Sequence, residues 1–109
     1  MPLENVGVVD AAGIDKQRGD IVLSILDSWD WDDEGGHLAA LQAKLNSYFD
    51  FVESGEVFEA LPEVKKGPIR INIISRYALP AGAVAFLQRA VAMGATLQIS
   101  ITQQDYFEV

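Results

Sequence analysis

Apolar positions along this chain alternate between spacings of two and spacings of three or four, and each switch marks an element. Val8 and Val9 lead into Gly13-Ile14, a polar stretch from Asp15 to Gly19 follows, and Ile21 to Leu26 is almost continuously apolar except at Ser24. That pattern predicts a β-hairpin over Val6–Leu26, with Gly19 taking a left-handed turn position. Leu38, Leu41, Leu45, Phe49 and Val52 then recur at helical spacing, with Gln42, Lys44, Asn46 and Asp50 on other sides. They predict a helix from about Asp33 to Ser54, closed by Gly55. Val57, Phe58 and Leu61 suggest one further helical turn before a loop through Pro62 and Pro68.

The second half repeats the grammar. Ile69, Ile71 and Ile73 alternate with Arg70, Asn72 and Ile74, the period of a strand with one buried face. Pro80 suits a helix start, and Val84, Leu87 and Val91 carry the helix to Gly94. Leu97, Ile99 and Ile101 alternate with Gln98, Ser100 and Thr102 in a last strand, before a short Tyr106-Phe107 tail.

The order ββαβαβ predicts an α+β fold, a two-layer sandwich of one four-stranded mixed sheet with two helices on one face. Both helices share a face only if the chain steps across the sheet in one direction. Ser24, Arg70, Asn72, Arg76, Gln98, Ser100 and Thr102 are then expected on the opposite, wet face, with Arg70, Asn72 and Arg76 as a candidate contact surface. At 109 residues the chain has the length of a single domain.

Charge adds direction to this outline. Residues 1–64 hold fourteen acids and three bases, whereas residues 65–109 hold two acids and five bases. The resulting −11 and +3 predict a dipolar molecule that attracts basic proteins and repels phosphate backbones. Nucleic acid is not an expected partner, since Arg70 and Arg76 have no aromatic pair beside them for base stacking. The chain has no cysteine, which excludes disulfides, thiolate nucleophiles and cysteine-ligated metals. No apolar run approaches a membrane span and no leader pattern opens the chain, so a cytoplasmic protein without a membrane partner is expected.

Candidate chemistry concentrates in one stretch, "DSWDWDDEGGH", residues 27–37. Asp30, Asp32, Glu34 and Gly35 follow the start of a calcium loop, but its twelfth position, which must be a bidentate carboxylate, is Leu41. Asp33 and His37 stand four apart on a helix and can clip an ion, yet two ligands are not a site. A hydrolytic carboxylate pair would centre on Asp30 between Trp29 and Trp31, where neighbouring acids argue for solvation instead. No catalytic residue, metal site or cofactor is therefore assigned. The structural reading is a helix entrance: acids at the start of a helix cap its free N–H groups and complement its dipole, an Asp cap contributing about 1 kcal/mol. Trp29 and Trp31 then pack the corner, and His37 is expected in solvent on the first turn. Trp29, Asp30, Trp31, Asp32, Asp33 and His37 are the candidate binding residues.

Five segments carry a resemblance: Val9-Asp10-Ala11-Ala12-Gly13-Ile14-Asp15, Trp29-Asp30-Trp31-Asp32, His37-Leu38, Leu41-Gln42-Lys44-Leu45-Asn46 and Phe51-Val52-Glu53-Ser54-Gly55. Together they resemble an uncharacterised family of small bacterial proteins, a domain of unknown function, which brings no activity or catalytic residue with it. The reading carried forward is a noncatalytic interaction module, of immunity or antitoxin type, that binds a basic protein. The alternatives are a small metal-dependent enzyme or metal binder using the Asp30–His37 cluster, and a self-associating module, monomer or homodimer, that pairs through its last strand or its Tyr106-Phe107 tail.

Overall fold

The computed structural model describes residue 3 and residues 9–61 and 68–106. Four strands, β1 (Ala11–Ile14), β2 (Ile21–Asp27), β3 (Ile69–Ser75) and β4 (Ile99–Asp105), alternate with three helices, α1 (Glu34–Glu53), α2 (Glu56–Ala60) and α3 (Ala81–Thr96). The fold is α+β with the expected ββαβαβ order, and the short α2 is the helical turn suggested by Val57 and Phe58. The first half of the predicted hairpin is shorter than expected. Its strand begins at Ala11, and Val6 and Val8 lie outside the described residues.

Spatial order equals chain order, β1-β2-β3-β4. β1 runs antiparallel to β2, and β2, β3 and β4 run parallel, Ile21, Ile69 and Ile99 standing in register. One-directional stepping of this kind places both long helices on one face. Ile21, Leu23 and Ile25 of β2, Ile69, Ile71 and Ile73 of β3, and Ile99 and Ile101 of β4 form a single core with Leu41, Leu45, Tyr48 and Phe49 of α1 and Phe86 and Ala90 of α3. The period of two in the strands and of three to four in α1 is the pattern read from the sequence.

Turn chemistry explains the local joins. Asp15 accepts hydrogen bonds from the amides of Gln17 and Arg18, and Gly19 and Gly55 sit at φ of 76° and 85°, where a side chain is disfavoured. Asp33 caps α1 by accepting from the Gly36 amide.

Three expectations are corrected. The buried side of α3 is Ala83, Phe86, Ala90 and Gly94, whereas Val84 and Val91 are exposed; the apolar stripe at 84, 87 and 91 is a second flank of the same helix. Gly94 does not end α3. It lies inside the helix because a Cβ there would stand 2.7 Å from the carbonyl oxygen of Ile99, so its small size lets α3 close onto β4. Gln98 is not a strand residue of the wet face; it turns the chain from α3 into β4 with φ of 60°.

Candidate functional site: the corner between β2 and α1

β2 ends at Asp27, at the carboxyl end of a parallel strand, and the next six residues climb to the N-cap of α1 at Asp33. The climb is a series of local hydrogen bonds in which aspartate side chains accept backbone amides. Asp27 Oδ1 accepts from Trp29 N at 3.2 Å and Asp30 Oδ1 from Asp32 N at 3.0 Å. Below it, the Asp27 carbonyl accepts from Arg76 N, which ties the corner to the end of β3.

His37 occupies the centre, contrary to its expected place in solvent. Its side chain is 1% exposed, as is that of Asp27. Burial follows from helix phase. His37, Leu41, Lys44 and Tyr48 are spaced by four, three and four, so the histidine extends the buried stripe of α1 by one turn. Trp31 stacks on the imidazole with ring centroids 3.6 Å apart and planes 14° from parallel, and Trp29 leans against it at 5.6 Å and 59°. The tryptophans thus pack the corner by enclosing the histidine.

Hydrogen bonding fixes the protonation pattern of the ring. Nδ1 stands 2.8 Å from the carbonyl oxygen of Asp30, which can only accept, so Nδ1 carries a proton. Nε2 stands 2.6 Å from Asp27 Oδ2, a contact that requires one further proton between them. Burial pushes the Asp27 carboxyl above its usual 3.8, and the hydrogen bond and charge of His37, with the Trp29 amide, pull it partly back. Both ring nitrogens are therefore committed within the protein. The imidazole has no lone pair for a metal or for a substrate proton while these bonds hold, so the geometry brings no support to the Asp33–His37 clip. Asp33 itself is engaged as the helix cap. Among the described residues no group of three or more His, Asp or Glu side chains is arranged to hold a metal ion.

The remaining acids face outward. Asp30, Asp32, Asp33 and Glu34 are exposed, and among the described residues none forms an ion pair with a base. A cleft of about 250 Å³ opens beside them, lined by Ser28, Trp29, Asp30, Asp33, His37 and Tyr77. The candidate residues Trp29, Asp30, Trp31, Asp32, Asp33 and His37 thus lie together at this corner, with exposed carboxylates outside an aromatic brace.

The other candidates are not part of it. Arg70, expected to face a partner, reaches across the sheet to Asp15 and Asp20, at 3.2 Å each. Asn72 donates to Gln104 and accepts from Thr102. Both knit the wet face together. Arg76 is exposed, 5.7 Å from the Tyr77 ring, and lines an adjoining 270 Å³ hollow with Leu26, Asp27, Ser28, Ile74 and Tyr106. Sequence reasoning missed a second polar network under α1. Lys44 and Tyr48 are fully buried, Lys44 Nζ donates to Asp10 Oδ1 at 2.9 Å, and Tyr48 donates to the Ser24 carbonyl while accepting from Asp10 N. The signal was present: Lys44 lies one helical turn from both Leu41 and Tyr48.

No helix among the described residues is long and apolar enough to cross a membrane. Neither a curated protein nor a solved structure matches the chain. A family model does, over residues 1–105, and by that match the chain belongs to the Family of unknown function (DUF6572).

Proposed function

We propose that this protein is a noncatalytic interaction module whose corner between β2 and α1 docks a basic partner protein, in the manner of an immunity or antitoxin factor. The observation that carries the reading is the division of labour at the corner. The imidazole that would serve catalysis or ligation is closed off, while four carboxylates stand exposed without a described counter-charge. The Asp27–His37–Trp31 brace holds the backbone beneath those carboxylates, which lowers the ordering required on binding. The cleft supports a lysine or arginine as the docking group, because Trp29 and Tyr77 offer ring faces and Asp30 and Asp33 offer charge. The chain's net charge of −8 steers such a partner inward.

Affinity capture from the native host with the wild-type chain and with Asp30→Lys/Asp32→Lys tests the proposal. The wild type is expected to retain a basic protein in stoichiometric amount, with binding that weakens as salt rises, and the reversed corner is expected to lose it. Recovery of no stoichiometric partner, or of one indifferent to the corner reversal, would refute it.

A further inference from the structure

α3 has a second apolar flank, on which Leu87 leans partly into the core while Val84 and Val91 stand outside it. Phe86, Ala90 and Met93 border the groove shared with Leu45 and Phe49 of α1, and Gly94 rests against β4. At 3.6 residues per turn, Val84, Leu87 and Val91 lie on the side of α3 turned away from α1. Val84 and Val91 are 44% and 46% exposed. α1 connects β2 to β3 and α3 connects β3 to β4, so the flank away from α1 overhangs the outer edge of β4.

That edge is open. β4 pairs with β3 alone among the described strands, and its seven residues, Ile99-Ser100-Ile101-Thr102-Gln103-Gln104-Asp105, contain no proline or lysine and only a terminal charge. Edge strands are ordinarily blunted by such residues or by being short, as the four-residue β1 is at the other end of the sheet. An unblunted strand edge beneath an exposed apolar helix flank is a paired feature of one surface.

We infer that this surface is a homodimer interface, in which β4 pairs antiparallel with β4 of a second copy and the Val84, Leu87 and Val91 flanks of the two α3 helices pack together. A twofold axis normal to the sheet reverses the strand while keeping both helices on the same side, so the contact is isologous and closed. Charge selects a second copy as the occupant. Fourteen of the sixteen acids lie in residues 1–64, whereas the flank carries none and β4 carries only Asp105. Two chains of net charge −8 meet with least repulsion here, and a basic partner finds no carboxylate to pair with along the flank. Strand and helix match in length, about 23 Å and about 24 Å, so the face measures roughly 24 by 20 Å. With side-chain relief, such a face, about 480 Å² in projection on each copy, meets the about 1,000 Å² in total that a specific interface needs.

Sedimentation velocity on the full chain from about 1 to 300 μM, for the wild type and for Val84→Lys/Val91→Lys, reads the association directly. The wild type is expected at twice its 11.9 kDa monomer mass. The lysines, placed on exposed positions, are expected to weaken association by roughly 100-fold or more with the melting temperature retained. Hydrogen exchange on the wild type is expected to show β4 amides protected at high concentration and released on dilution, and this measurement decides alone should the lysines disturb the fold. A monomer across the whole range, a dimer that survives both lysines in a folded variant, or β4 amides indifferent to dilution would each overturn the proposal.

Discussion

The proton shared by Asp27 and His37 sets what each residue tolerates. With Nδ1 donating, the neutral ring accepts at Nε2, and an asparagine at position 27 supplies the donor from its amide nitrogen while its oxygen still accepts from Trp29. Asp27→Asn is therefore expected to cost no more than about 1 kcal/mol, whereas Asp27→Ala and His37→Ala each cost about 3 kcal/mol by stranding a buried partner, as urea unfolding measures. The native state holds the Asp27 proton to a higher pH than the unfolded chain, which releases it near 3.8. Stability declines as pH climbs from 3.8 through the raised native value, and Asp27→Asn lacks that decline. Little of this was legible beforehand. The sequence places His37 in a polar run beside two glycines, which argues for solvent; the burial comes from the loop folding Trp31 over the ring, a contact six residues back along the chain. Helical phase was the available signal, since position 37 continues the stripe through Leu41.

At the scale of elements, α1 is held to the sheet by a polar clasp as well as by its apolar stripe. Asp10, just ahead of β1, accepts from the Leu26 amide and from Lys44, and Tyr48 bridges Asp10 and Ser24. Asp10 thus occupies an amide of β2 at the point where the shorter β1 no longer does. Tyr48→Phe strands a half-buried amide and a carbonyl, and is expected to lower stability by about 1–2 kcal/mol. Burial pushes the Tyr48 phenol up to about 12, so the wild type is expected to lose stability as pH rises from about 10 to 12, and Tyr48→Phe to lack that component. Denaturant titrations at fixed pH check both. The elements themselves were legible: α1 runs Glu34–Glu53 against an expected 33–54, with Asp33 and Ser54 as its caps. The phase of α3 was not, because Val84, Leu87 and Val91 make as good a stripe as Ala83, Phe86, Ala90 and Gly94. The small residues prevail on the sheet side because the backbone of β4 comes too close to Gly94 for larger ones.

For the molecule as a whole, charge works against stability at one end of α1. Asp50, Glu53, Glu56 and Glu59 gather around its C-terminus, where the dipole favours cations, and the last turn has no basic residue. Glu53→Lys is expected to raise stability by about 0.5–1 kcal/mol at low salt, with a gain that shrinks at high salt in thermal melts. The architecture was legible because alternation in the strands and helical spacing in α1 agree with the final core, whereas strand order has no local signature. That order, β1-β2-β3-β4, is also the order of synthesis. Each strand leaves the ribosome after the one it will pair with, so the sheet grows at a single advancing edge. Until β4 arrives, that edge is β3, whose Ile69-Arg70-Ile71-Asn72-Ile73-Ile74-Ser75 combines strong β-propensity with one charge. A nascent or truncated chain ending before Ile99 displays this isoleucine-rich strand uncovered, so β4 acts as the fold's own chaperone against aggregation.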